Sequence, residues 1–193
     1  MIDERYVFLA AIIGSIGQAS YVIDTVKGKV KPNRVTWFLW TLIPFIALAA
    51  EIQKGVGLPA LMTFMVGFGP LCVFAASFVN KKSYWKISSL DKFCGLLSVL
   101  AVILWIVFNN GNIAILLSII ADAAAGVPTI IKAYKEPETE SSSPYLFFAL
   151  NAFITLLTIK VWDFAHFGFP VYILLLSLLI FALVKFRTGK KSP

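Results

Sequence analysis

The stretch Val35 to Val79, VTWFLWTLIPFIALAAEIQKGVGLPALMTFMVGFGPLCVFAASFV, holds two apolar runs parted by a Gly-x-Pro turn. Pro144 to Phe186, PYLFFALNAFITLLTIKVWDFAHFGFPVYILLLSLLIFALVKF, repeats that layout. In each copy the first of these runs is short, about sixteen residues (Val35 to Ala50 and Pro144 to Ile159), against the roughly 20 that span a bilayer. The run after it opens on Gly57 to Pro59 in one copy and on Gly168 to Pro170 in the other. A longer apolar run precedes each pair, so the repeating unit has three segments, Arg5 to Val79 and Gly111 to Arg187. One extra run, Leu90 to Phe108, lies between the units. The layout predicts an all-α integral membrane protein of seven transmembrane helices, two parallel three-helix bundles joined by a linker helix.

The chain then reads as a single membrane domain: a first repeat over 5–79, an interfacial connector and linker helix over 80–110, a second repeat over 111–187, and a basic tail over 188–193. Composition points the same way. Apolar residues make up 59% of the 193 and the mean hydropathy is +0.85, beyond the roughly 45–50% apolar content of soluble domains. The amino end, Met1 to Arg5, is acidic and has no small-residue cleavage site after the first apolar run, so the first helix is expected to stay in the mature protein.

Lys and Arg sort between alternate loops. Fourteen of the seventeen fall in the segments Lys27 to Arg34, Lys81 to Lys92, Lys132 to Lys135 and Lys185 to Lys191, whereas Arg5, Lys54 and Lys160 lie on the other side. Translocating basic residues is unfavourable, which predicts a plasma-membrane protein with its amino terminus outside and its carboxyl terminus in the cytoplasm. The net charge of +7 then reflects topology and contact with anionic membrane lipid, and nucleic acid is not an expected partner. Cys72 and Cys94 fall in predicted helices and are expected to behave as small apolar side chains. No disulfide, metal or cofactor is expected. Ser88 and Asp91 have capping-box spacing for the fourth helix.

Asp122 is read as the one acidic residue deep inside an apolar segment. A charge at that depth costs about 2.5–3.5 kcal/mol on insertion scales, so the residue should face the bundle interior and coordinate a solute or exchange a proton. The plainer reading is a carboxyl that ties two helices together. Ser15 and Gln18 share a face of the first helix that Tyr21 and Thr25 extend, and interhelical hydrogen bonding is the competing account of that stripe. Pro44 and Asn151 coincide under an offset of 107 residues, and paired helix breaks point to a midplane site. Pro70 with Gly67 and Gly69 softens the third helix and Pro128 with Gly126 the fifth, while Pro59 and Pro170 open the third segment of each repeat. These prolines are candidate hinges. Trp37, Trp85, Trp105 and Trp162 fall near predicted helix ends and read as interfacial anchors. Trp40, one turn deeper than Trp37, is the tryptophan expected to touch a solute, and His166 is expected in a solvated outer loop.

In this layout the chain resembles a divergent, bacterial-type member of the SWEET and PQ-loop superfamily, which includes cystinosin-like proteins. Pro128-Thr129-Ile130-Ile131-Lys132 is similar to the PQ motif, with Thr129 where the motif has Gln. Tyr21-Val22 stands at the matching site of the first repeat, and Thr36 and Ser141 to Ser143 resemble the downstream hydroxyl region. The third helices lack the Asn that sugar-transporting relatives typically carry, offering Thr63 and Ser177 instead. Asn151 stands near the acidic residue of proton-coupled relatives, and an amide carries no proton.

The resemblance implies a small-solute transporter or facilitator working by alternating access. Asp122, Gln18, Asn151, Trp40 and Ser15 would line its cavity, which suits a cationic or zwitterionic metabolite, an amino acid or a vitamin as well as a sugar. The alternative is a receptor or interaction protein of the same fold, with a partner reading the loop Lys135 to Ser143. No paired carboxylates, metal-ligand cluster or nucleophile with a base appears on any segment, so an enzyme is not expected. The loop Glu136 to Ser143, acidic and Ser-rich, reads as flexible, and a homo-oligomer is compatible with all of this. A fluorescent reporter that matures only in the cytoplasm should light up when fused to the carboxyl end, and alkaline phosphatase fused there should be silent. The reverse pattern would invert the topology.

Overall fold

An apolar solvent offers nothing to a bare peptide group, so apolar segments must satisfy their N–H and C=O groups internally. The computed structural model describes residues 2–81, 85–108 and 110–187, and its regular structure there is all helical. The helices are α1 (Tyr6–Val26), α2 (Arg34–Gln53), α3 (Ala60–Ala76), α4 (Ser89–Phe108), α5 (Gly111–Lys135), α6 (Ser143–Thr158) and α7 (Phe164–Arg187), with one 3₁₀ turn at Pro137–Thr139. Helices α1, α2, α5 and α7 are long and apolar enough to cross a membrane, while α3 and α6 are apolar helices of 17 and 16 residues. The side chains at 97, 98, 101, 102 and 104–108 of α4 lie outside the described residues, and the expectation for Trp105 with them. Lys82, Lys190 and Lys191 lie outside them too.

Polarity is arranged as lipid would have it. Large apolar side chains stand outward, Ile12 at 59% and Leu175 at 63% exposure, while Glu51, Asp91 and Asp122 are each 1% exposed. An apolar outside around a polar inside is what a helical membrane protein presents.

Helix α3 packs on both α1 and α2, and α7 packs on both α5 and α6. The two sets meet along α1–α6 and α2–α5, and α4 rests on α5 with a smaller contact to α2. Small residues permit the close approaches, as is common where lipid gives helices no hydrophobic reason to associate. Gly14 faces Asn151 and Gly17 faces Phe147 across α1–α6, and Gly126 admits the indole of Trp40 across α2–α5.

Polar caps set the ends. The Asn33 carboxamide oxygen accepts from the amides of Val35 and Thr36 to start α2, and its nitrogen donates to Asp91. The expected capping box forms: the Ser88 hydroxyl donates to the Asp91 carboxylate at 2.6 Å and accepts the Asp91 amide at 3.3 Å. Asn110 caps α5 in the same manner as Asn33 caps α2.

Several expectations need correction. The first short segment is a full 20-residue helix, because α2 continues past Ala50 with Glu51 turned inward and satisfied in part by Thr63. The two Gly-x-Pro motifs are not equivalent: Gly57 has φ +74° in the turn before α3, with Pro59 at its N-cap, whereas Gly168 and Pro170 lie inside α7. Pro44 breaks nothing, since α2 runs through it, and α6 likewise runs unbroken through Asn151. Trp37 is 1% exposed, its ring tilted against Tyr21 at 4.7 Å and edge-on to Trp40 at 5.5 Å, so it is a core residue and not an interfacial anchor. Trp162 is exposed, at 58%. His166 belongs to the first turn of α7, its ring 2.6 Å from the Asp163 carboxylate, and that bond holds the Asp163 carboxyl below its ordinary value.

A Cβ added at Gly17 would come 2.4 Å from the Cβ of Phe147, too close to relieve by side-chain rotation alone. Gly17→Ala should therefore lower the melting temperature in detergent, at a cost of about 1–3 kcal/mol from overpacking. Ile12→Leu on the outward face should leave it unchanged, and equal melting temperatures for both variants would mean that α1 and α6 do not touch there.

Candidate functional site

Successive turns of α2 meet α5 in reverse order. The Thr36 hydroxyl donates to the Ala125 carbonyl at 2.8 Å, and one turn on, the Trp40 indole N–H donates to the Asp122 carbonyl at 3.2 Å. Each bond satisfies a buried donor, and together they fix the Trp40 ring against Gly126, where an added Cβ would stand 3.1 Å from it. The Asp122 side chain lies on the same turn. Its Oδ2 accepts from the Tyr172 hydroxyl of α7 at 2.7 Å, and its Oδ1 has no hydrogen-bond partner.

Asp122 and Trp40 line one cavity of about 30 Å³ together with Trp37, Tyr145, Phe148 and Ser177. That is room for water but not for a metabolite, since one water needs roughly 10–15 Å³ on this measure. Pro70 borders it as well.

The other expected residues divide. Gln18 and Ser15 border a second pocket of about 330 Å³ between α1 and α3, and Phe148 is the wall it shares with the first. Gln18 Nε2 donates to the Gly69 carbonyl at 2.7 Å, across to α3, while the Ser15 hydroxyl donates back to Ala11 of its own helix at 2.8 Å. Asn151 is wholly buried against Gly14, and neither of its amide atoms has a hydrogen-bond partner. Pro128 and Thr129 are buried in α5, Pro44 in α2 and Pro170 in α7.

The loop read as flexible is instead pinned. Glu140 is buried and accepts from Lys132 Nζ at 2.6 Å, from the Tyr21 hydroxyl at 2.7 Å and from the Tyr145 hydroxyl at 3.3 Å. Lys132 Nζ also donates to the Lys31 carbonyl and lies 5.0 Å from the Trp85 ring centroid, and the Lys31 amide donates to the Thr139 carbonyl at 3.0 Å. A buried ion pair persists only where further hydrogen bonds satisfy its remaining atoms, and here two tyrosines and a carbonyl do so. The network joins α1 and the α1–α2 loop to α5, the 3₁₀ turn and α6. Tyr145 belongs both to it and to the cavity wall.

Sequence reading missed Lys132, Glu140 and Glu51. Lys132 carried a legible signal, because Asp122, Ala125, Thr129 and Lys132 fall on one buried stripe of α5 at helical spacing. Glu51 did likewise, one turn beyond the buried Ala47 of α2, and its Oε1 accepts from the Thr63 hydroxyl at 3.0 Å. Glu140 carried none. Its partners lie on three different elements.

No protein-family model, curated protein or solved structure matches this chain. Function has to be argued from the chemistry of the site. Among the described residues no three His, Cys, Asp or Glu side chains converge as metal ligands.

Removing one member of the buried pair strands the other. Glu140→Gln and Lys132→Met should each destabilise the protein by about 3–5 kcal/mol, and the double variant by much less than the sum. Additive losses in melting temperature would show that the two residues do not form a pair.

Proposed function

We propose that the chain is a small-solute membrane transporter or facilitator that works by alternating access, with two parallel three-helix repeats, residues 5–79 and 111–187, rocking about a central cavity. The observation that carries this reading is Asp122: a carboxyl 1% exposed, half satisfied by Tyr172, lining a cavity walled by helices of both repeats. Ionisable groups inside apolar helices are costly, and such residues mark solute and ion paths. The packing order is a second support. In each repeat the third helix lies against the other two, and the repeats meet as α1 on α6 and α2 on α5, the exchange expected of duplicated units.

The Lys132–Glu140 network adjoins the cavity through Tyr145, on the side that the positive-inside rule assigns to the cytoplasm. It ties α1 and the α1–α2 loop of one repeat to α5 and the α5–α6 loop of the other through Tyr21–Glu140, Lys31–Lys132 and Lys31–Thr139, so opening towards that side requires those bonds to part while Lys132 and Glu140 travel together. Asp122 and Tyr172 lie deeper, where either opening would expose them.

The receptor alternative relied on a free loop from Lys135 to Ser143. Burial of Thr139 and Glu140 within that loop narrows the surface such a partner would read to the exposed Lys135, Glu136 and Glu138 and the half-buried Ser141 to Ser143.

Uptake of labelled sugars, amino acids and vitamins into proteoliposomes, run against empty vesicles, is the deciding experiment. At least one solute should enter faster than into empty vesicles, and Asp122→Asn should reduce its initial rate at least tenfold. Rates equal to empty vesicles for every solute, with Asp122→Asn indistinguishable from the parent, would end the transport reading.

A further inference from the structure

We infer that the cavity at Asp122 takes an organic cation, a protonated or quaternary amine, held by the carboxylate and by the faces of aromatic rings. The inference rests on the transport reading and narrows its solute from any small metabolite to one charge class. Three observations carry it. The first is the unmatched carboxyl: Asp122 Oδ1 is buried without a hydrogen-bond partner, and among the described residues no Lys, Arg or His lines the cavity. A buried carboxylate without a positive partner is unfavourable, and a cationic solute supplies that partner.

The second observation is the aromatic share of the lining. Trp37 and Trp40 from α2 and Tyr145 and Phe148 from α6 bring four aromatic rings to the same cavity as the single carboxyl. Aromatic faces attract cations, tryptophan most strongly, and clusters of them recognise quaternary ammonium groups. Trp37 and Trp40 stand edge to face, 5.5 Å apart at 80°, so their planes do not stack on each other and hide both faces. The Trp40 indole N–H is already committed to the Asp122 backbone, which leaves its π-face as the part available to a solute.

The third observation is the scarcity of other polar groups. The Tyr145 hydroxyl is committed to Glu140 and the Trp40 N–H to the Asp122 carbonyl, leaving the Ser177 hydroxyl and the Trp37 indole N–H, a buried donor without a hydrogen-bond partner, as the other polar side-chain groups of the lining. A sugar presents several hydroxyls, each needing a partner on leaving water, and this lining cannot supply them. An anion would face a carboxylate. An amine with apolar substituents satisfies the site with one charge and hydrocarbon contact. The rings have to separate from their present spacing to admit it, so the smallest quaternary ammonium is the first probe.

The test is binding and uptake with tetramethylammonium and choline, with glucose as the neutral comparator and succinate as the anionic one. Thermal shift of the purified protein in detergent reads binding, and labelled choline and labelled glucose in proteoliposomes read transport. Tetramethylammonium or choline should raise the melting temperature, and glucose and succinate should not. Asp122→Asn and Trp40→Leu should each weaken choline at least tenfold, with Trp40→Phe, which keeps a ring, losing less. Monodisperse elution of each variant separates loss of binding from loss of fold.

A shift by glucose or succinate with none by the cations would overturn the inference. So would a cation shift that survives Asp122→Asn unchanged, or no cation shift at all. The two readings fail separately. A choline shift with no uptake of choline, glucose or any other solute above empty vesicles supports the cation site and sinks transport, whereas glucose uptake without any cation shift supports transport and sinks the cation site.

Discussion

Four carboxyls of this chain are buried among apolar helices, and each is held by a hydroxyl or amide from elsewhere in the fold. Thr63 holds Glu51, Asn33 and Ser88 hold Asp91, Tyr172 holds Asp122, and Tyr21 with Tyr145 holds Glu140. Outward faces of Ile, Leu and Phe give apolar helices no preference for one another over lipid, so directional bonds and close packing must decide which helix meets which. Each of the four links separate elements. Glu51 joins α2 to α3, Asp91 joins α4 to the start of α2, Asp122 joins α5 to α7, and Glu140 joins α1 to α6.

These four sites differ in how completely they are satisfied. Glu140 has an opposite charge and two hydroxyls, and it behaves as a structural clasp. Glu51 and Asp122 each keep one oxygen without a hydrogen-bond partner. Incomplete satisfaction inside a membrane domain is tolerable when a solute, a proton or a second conformation completes it. Asp122 alone among the four combines that incompleteness with a place on the central cavity, and the clasp at Glu140 touches the same cavity through Tyr145.

Most of the fold was legible in the sequence because the helix signal is a matter of local hydropathy. Seven apolar runs became seven helices, and the capping box at Ser88 and Asp91 formed where its spacing placed it. Asp122 and Trp40 were legible as inward-facing residues because each contrasts with its immediate neighbours in charge or in depth. What the sequence could not deliver depends on tertiary pairing. Gln18 and Asp122 looked like members of one site, yet Gln18 turns to the Gly69 carbonyl on a different seam, which spacing along a single helix cannot reveal. The two Gly-x-Pro motifs looked equivalent because the pattern records residue types and not backbone angles. Glu140 looked like a loop residue because its neighbours in sequence are hydrophilic and its partners lie on α1, α5 and α6.

The seam between α1 and α6 has a consequence for sequence drift. Gly17 stands so near Phe147 that the two positions share one volume, and Gly14 and Asn151 stand in the same relation one turn away. Neither member of such a couple can vary alone. A descendant of this chain that acquires a larger residue at 17 must accept glycine at 147 or a wider seam there, and one that fills 14 must shorten 151. The seam is therefore inherited in pairs, and correlated change at these positions is the trace it would leave among homologous sequences.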